Sequence, residues 1–154
     1  MSIQERMETM TELKKAGKIR AIGLSNFSLE EMKAAMEYGQ VDVIQPCYSL
    51  LWRYDEELLK FSRENDIAVI PYSTLAQGLL TGKYKKGATF TDGRSRAALF
   101  QPENYDRALE VTDVLAGISA KYGKTPAQGA IAWLLQTPGA VSYTHLRAHE
   151  TRSN

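Results

Sequence analysis

The residues best suited to chemistry fall in two places. Ser25 and Asn26 follow the run IRAIGL, Gln45 ends VDVIQ, and Tyr72 and Ser73 close IAVIPY. Serine, asparagine and glutamine offer neutral donors and acceptors, a set suited to holding an amide group, and tyrosine offers a flat ring for stacking. Each has an ordinary reading when taken alone: Asn26 as a turn residue, Gln45 as a satisfied polar group beside a loop. The second place is YTHLRAHET, which holds the only two histidines, His145 and His149, four residues apart. On a helix that spacing stacks both imidazoles on one face, as two metal ligands would sit. No third ligand lies near them and Leu146 is the only large aliphatic residue of the segment, so neither an amphipathic helix nor a metal site is assigned. Cys47, the single cysteine, has no histidine near it in sequence. It reads as a small buried hydrophobe, excludes an intrachain disulfide, and points to a reducing compartment.

The bulk properties bound the function. A chain of 154 residues can bury one real core, and 44% hydrophobic with 24% charged residues is ordinary for a globular protein. A formal net charge of +1, with scattered basic residues, offers no face for nucleic acid or an anionic membrane. The opening MSIQERMETM is polar, without the apolar stretch of a signal peptide, and no run reaches the roughly 20 apolar residues of a membrane span. The expected setting is cytoplasmic, with no nucleic-acid or membrane partner.

The elements that position these residues follow from periodicity. Ile3, Met7, Met10 and Leu13 recur at helical spacing, with Gly17 as the stop. Ile19–Leu24 reads as a short buried strand. Ser28 and Glu31 form a capping box for a helix carrying Met32, Ala35 and Met36 inward, and Val41–Gln45 is a second strand. Asp55 is expected to cap a helix through Leu58, Leu59 and Phe61, with the third strand at Ile67–Tyr72. Helices and strands alternating a little over twenty residues apart suit βα units in a parallel sheet, whose ligands lie beyond the C-terminal strand ends. After Tyr72 a long polar connection punctuated by glycines reads as a functional loop. A helix over about 104–122 is expected to bury Ala108, Val111, Leu115 and Ile118. Thr125-Pro126-Ala127-Gln128 then opens a last helix before a fourth strand that barely begins. Three strands and a stub with helices read as part of a larger fold.

Four blocks make that larger fold specific. KAGKIRAIGLSNF, VIQPCYSLLWR, VIPYSTLAQGLLTGKY and GKTPAQGAIAWLLQTPG stand in this order and span most of the chain between Met7 and Gly139. They resemble successive segments of the aldo-keto reductase family, in its bacterial general-oxidoreductase and potassium-channel β-subunit branch. The resemblance implies an α/β fold, a partial (β/α)8 TIM barrel contributing about strands five to seven and the helices before a truncated strand eight. It implies NADP(H) bound without a Gly-rich fingerprint, and GxGxxG is indeed absent. It implies that Ser25, Asn26 and Gln45 hold the nicotinamide carboxamide and that Tyr72 stacks on the ring. Ser73, Leu75, Gln77 and Gly78 would form the loop over the pyrophosphate, with Lys83 and Arg94 bringing positive charge to the phosphates. Arg96 competes with Arg94 for that role, and both Lys83 and Arg94 have an alternative reading as solvated loop charges. Thr74 departs from the family's usual proline, which puts the stiffness of the loop in question. The implied activity of the full-length parent is reduction of small aldehydes or ketones to alcohols by hydride transfer. The family's catalytic Asp, Tyr, Lys and His come from the barrel's first half, so no catalytic residue is assigned here and the chain by itself is expected to be inactive. The alternative is a non-catalytic nicotinamide-binding regulatory subunit of the channel β-subunit type. An unrelated phosphate-binding barrel such as an aldolase is a third, weaker reading.

The tail has its own resemblance. From Val141 to Glu150, VSYTHLRAHE matches residue for residue the in-frame translation of a transposase sequencing adaptor. Residues 1–140 are therefore expected to be the barrel half, and 141–154 a non-native extension outside the fold.

Overall fold

The computed structural model describes residues 1–137. The expected fourth strand, His145, His149 and the 141–154 extension lie outside the described residues. The chain divides into two compact units, one of Met1–Cys47 with Tyr54–Tyr72, the other of Tyr48–Arg53 with Ser73–Thr137.

In the first unit, helices α1 (Ile3–Lys15), α2 (Leu29–Met36) and α3 (Glu56–Glu64) alternate with strands β1 (Gly23–Ser25), β2 (Val43–Gln45) and β3 (Ala68–Val69). The strands form a parallel sheet in the order β1-β2-β3, with Ser25 beside Gln45 at the last rung of the first pair. Side chains alternate between the faces of a strand. Leu24, Ile44 and Val69 are buried on one face, while Gly23, Ser25, Val43 and Gln45 on the other are exposed or half-buried. Met7, Met32, Ala35, Leu58 and Leu59 complete the core from the helices.

Local signals explain the helix starts. The Ser28 side chain accepts from the Glu31 N–H, and Glu31 reaches back to the Ser28 N–H, satisfying two orphan donors at once. Ser2 and Glu5 make a capping box of the same kind at the start of α1. Asp55 does occupy the cap position of α3, but its side chain makes no cap hydrogen bond, because its backbone at φ −102° and ψ 27° is not the extended cap conformation. Burial pushes its carboxyl above the ordinary range.

The strands are shorter than the apolar runs IRAIGL, VDVIQ and IAVIPY. At the start of β1 the reason is a side chain. The Ile22 N–H donates to the Asp42 carboxylate at 2.7 Å rather than to a neighbouring strand, so the ladder begins one residue later. Beyond β3, a single bridge between Cys47 and Tyr72 carries the pairing onward.

The second unit is built around three 3₁₀ segments, Ala76–Thr81, Gly93–Arg96 and Ala98–Phe100, and helices α4 (Pro102–Ala120) and α5 (Pro126–Leu135). The long connection after Tyr72 is only partly polar in function. Leu75, Ala76, Leu79, Leu80 and Phe100 join Tyr105, Ala108, Leu115 and Ala130 in one core. The α5 start is as expected, with Thr125 accepting from the Gln128 N–H and Pro126 in the first turn.

Helix α4 buries Ala108 and Leu115 as expected, but not Val111 and Ile118. Tyr105, Ala108, Thr112, Leu115 and Ser119 are buried, whereas Val111 is 39% and Ile118 52% exposed. Thr112 and Ser119 hold the inner face in different ways, Thr112 by hydrogen bonding and Ser119 by close packing that leaves its buried hydroxyl without a partner. The Thr112 hydroxyl donates to the carbonyls of Ala108 and Leu79, so its burial leaves nothing unsatisfied. Ser119 packs where Gly129 of α5 has no Cβ, a close approach that any larger residue at 129 would break.

Candidate functional site

The carboxyl end of the sheet gathers four of the expected residues within the first unit. Ser25 and Gln45 stand side by side at the ends of β1 and β2, and the Ser25 hydroxyl donates to the Gln45 carbonyl at 3.1 Å. Asn26 follows in the left-handed conformation (φ 57°), which asparagine tolerates better than most residues. Its turn role and its site role therefore coexist. Its backbone N–H donates to the Gln45 carbonyl at 3.4 Å, and its Oδ1 accepts from the Tyr72 hydroxyl at 2.8 Å. The Tyr72 N–H in turn donates to the Pro46 carbonyl at 2.9 Å. With Oδ1 committed to Tyr72, the Asn26 amide keeps its N–H₂ as the outward donor, and the Gln45 side chain adds an amide of its own. The group is neutral, half-exposed and hydrogen-bonded to itself through backbone carbonyls.

Burial pushes the Tyr72 hydroxyl above its ordinary pKa; Cys47 and Asp55 add to the rise, and donation to Asn26 opposes it. The ring is thus an uncharged platform at neutral pH. A tyrosine acting as general acid needs its pKa lowered toward neutrality, and Tyr72 moves the other way. Cys47 is half-buried beside Tyr72 rather than sealed in the core, so its expected role as a small buried hydrophobe is only partly met. The sequence offers one signal for that neighbourhood, the proximity of both residues to strand ends.

In the second unit the chain from Ser73 onward turns through unusual backbone. Ser73 (φ 53°), Ala76 (φ 49°), Gln77 (φ 53°) and Gly78 (φ 96°) are all left-handed. Each of the three non-glycine residues costs on the order of 1 kcal/mol, and such conformations persist only where packing enforces them. Leu75, Ala76, Leu79 and Leu80, all buried, supply that enforcement, and Thr74 is buried as well.

The expected cations converge on this loop. A Cβ at Gly78 would lie 2.9 Å from Lys83 Cε, 3.1 Å from Lys83 Nζ and 3.2 Å from the Tyr84 hydroxyl, so the ammonium lies directly over the glycine. The Gly78 N–H donates to the Leu75 carbonyl at 2.9 Å, which makes close approach, rather than a free donor, the contribution of that residue. The carbonyls of Gly78 and Gln77 are both held by hydroxyls, from Thr81 at 2.7 Å and Tyr84 at 3.3 Å. Arg94 donates to the Tyr84 hydroxyl, lies over the Phe90 ring at 5.0 Å, and makes two bonds from Nε to Asp92 at 2.9 and 3.1 Å. Arg96 is exposed and forms no ion pair among the described residues. Tyr84, Thr81 and Asp92 are site residues that the sequence alone does not mark, because their roles depend on contacts with Gln77, Gly78 and Arg94.

The Arg94 hydrogen bond, aided by the Arg94 backbone N–H, holds the Asp92 carboxyl down at about 2. Titration of that carboxyl followed by NMR is expected to show a midpoint near this value, and Arg94→Gln should return it to the ordinary range near 4. A midpoint near 4 in the unaltered chain would mean that the pair does not form in solution.

Two other features carry less. An apolar groove of about 550 Å³ between α4 and α5, lined by Val111, Val114, Ile118, Tyr122 and Trp133 among others, has no convergent polar groups to direct chemistry. Among the described residues, no cluster of three or more His, Cys, Asp or Glu is placed to hold a metal, and no helix is long and apolar enough to cross a membrane.

The model of the aldo/keto reductase family matches residues 1–144. The chain is 39% identical over 142 residues to the aldo-keto reductase YhdN of Bacillus subtilis, covering 90% of this chain and 43% of that protein. It is 36% identical over 141 residues to the NADH-specific methylglyoxal reductase of Escherichia coli, covering 91% and 43%. Among solved structures, the glycerol dehydrogenase of Gluconobacter oxydans superposes with a TM-score of 0.85 at 33% identity, over 92% of this chain and 44% of that one. The chain thus spans less than half the length of these relatives.

Proposed function

The chain belongs to the aldo/keto reductase family of oxidoreductases, and we propose that it supplies the nicotinamide-binding half of an NADPH-dependent reductase of small aldehydes and ketones. The observation that carries this reading is the set of neutral side chains at the carboxyl end of the sheet. Ser25, Asn26 and Gln45 match the donors and acceptor of a carboxamide, and the uncharged Tyr72 ring offers the stacking face. A nicotinamide needs both. The loop of Ser73, Leu75, Gln77 and Gly78 suits a pyrophosphate, since the missing Cβ of Gly78 is what lets the Lys83 ammonium sit directly over it. When bound, the cofactor supplies a hydride from nicotinamide C4. The residues of this chain fix which face of the ring is presented; they do not move the proton. The α/β fold fits strands five to seven of a (β/α)8 barrel, because the sheet is parallel and buries one face under helices, leaving the polar one open.

A second reading, NADH in place of NADPH, is favoured by one observation: Arg94 already shares its charge with Asp92. Calorimetric titration of the chain with NADPH and NADH separates the two, and tighter binding of NADH would overturn the phosphate preference. The reading also predicts that Gln45→Ala weakens binding of nicotinamide mononucleotide about tenfold, the loss expected when one or two hydrogen bonds go, and leaves binding of ADP unchanged. The same chain is expected to show no aldehyde-dependent oxidation of NADPH, because no residue in it is assigned the general-acid role. Failure to bind either nucleotide would sink the cofactor reading, and clear turnover would sink the division of labour.

A further inference from the structure

We infer that Tyr84 is the positioning residue of the phosphate loop, aligning its backbone and both of its cations through one hydroxyl and one ring. The inference rests on the cofactor reading above for its consequence, though not for its geometry. The Tyr84 hydroxyl accepts from Arg94 Nη1 and donates to the Gln77 carbonyl at 3.3 Å. A single oxygen therefore ties a guanidinium to the left-handed peptide of the loop. The ring does the rest: Lys83 Nζ lies 4.8 Å from its centroid and the Arg94 guanidinium carbon 5.6 Å. The ring is itself braced edge-on by Phe90 at 5.2 Å and Phe100 at 6.0 Å, the latter in the core.

The physical need is specific. The carbonyl oxygen of the left-handed Gln77 carries partial negative charge and would repel a phosphate brought to the loop. Holding the Gln77 carbonyl with a hydroxyl that is polarised by Arg94 removes that repulsion and pre-orients the loop. Preorganisation lowers the ordering cost of binding without adding a contact to the ligand. Asp92 braces Arg94 from its other side, so the guanidinium is fixed before any anion arrives.

Tyr84→Phe keeps the ring, its packing and both cation–π contacts, and removes only the hydroxyl. In the full chain it is expected to weaken ADP binding about tenfold, to leave nicotinamide mononucleotide binding unchanged, and to leave the urea unfolding midpoint unchanged. Hydrogen exchange of the amides at 76–78 should speed up, with or without nucleotide. Combining Tyr84→Phe with Arg94→Lys should weaken ADP binding by less than the product of the single effects, as expected of groups acting through one bond. If exchange at 76–78 is unchanged in Tyr84→Phe, the positioning role is overturned whatever the chain binds. If exchange rises but the unaltered chain binds no ADP, the cofactor reading fails and the clamp stands.

Discussion

Gly78→Val is expected to weaken ADP binding by the chain about thirtyfold, the ratio that corresponds to about 2 kcal/mol. Two costs combine. Gly78 sits at φ +96°, a region that a β-branched residue enters only under strain. The new Cβ would also fall 2.9 Å from Lys83 Cε and 3.1 Å from its ammonium, so the lysine must leave its place over the loop. A flexible side chain can move cheaply, but the displaced charge is the one proposed to meet the phosphates. Gly87 is the control: it too has positive φ, yet a Cβ there meets nothing within 4 Å. Gly87→Val carries the backbone strain alone and should leave ADP binding within about twofold, provided Lys83 is what matters. Equal losses from both substitutions, measured by calorimetry, would assign the effect to general loop strain and remove Lys83 from the site.

Asp42→Ala is expected to destabilise the chain by about 2 to 3 kcal/mol, mostly through one orphaned donor. Asp42 accepts the Ile22 N–H at 2.7 Å and two bonds from the Lys14 ammonium at 2.6 and 2.8 Å. Ile22 is buried, so its freed N–H would find no water. The Lys14 pair contributes less because both side chains are partly exposed. Asp42→Asn keeps an acceptor for Ile22 and should cost about half as much, since only the charge is lost. Burial by itself raises the Asp42 carboxyl, but the Lys14 hydrogen bond, the Ile22 N–H and the Lys14 charge outweigh it and leave it below 3.8. A group depressed on folding stabilises above its unfolded pKa and loses that contribution as pH falls through the folded value. Urea midpoints should therefore separate the unaltered chain from Asp42→Asn at pH 7, and the gap should close as the pH falls through the lowered folded pKa of this carboxyl. A gap that stays constant through acid titration would exclude the ionised pair as the cause.

The two substitutions test different kinds of legibility. Family and element order were readable in short stretches because the relevant signals are local. A capping box needs four residues, and Ser28 with Glu31 or Thr125 with Gln128 declares itself without any partner. The placement of Ser25, Asn26, Gln45 and Tyr72 at strand ends needed only the βα alternation, and the sheet register sets Ser25 beside Gln45 as that alternation requires. The loop proposed to meet the pyrophosphate was marked by its residues only as a glycine-punctuated connection; its phosphate role came from the family resemblance.

What escaped the sequence depends on contacts between distant residues. Strand ends were misjudged because apolar runs report burial, not pairing; Asp42, twenty residues on, diverts the Ile22 N–H. The inner face of α4 was misjudged in part, because hydrophobicity favoured Val111 and Ile118. The structure instead buries Thr112, whose hydroxyl finds the Leu79 carbonyl, and Ser119, which fits against Gly129. Tyr84 was invisible for the same reason: nothing local shows that one hydroxyl meets both Gln77 and Arg94. The sequence by itself determined the family, the βα order, the helix caps and the residue types of the candidate site, all of which are written in neighbouring positions. Tertiary structure alone decided which face each helix buries, where pairing starts, and which side chains lock the loop, because satisfying a buried donor or acceptor depends on what the fold brings to it.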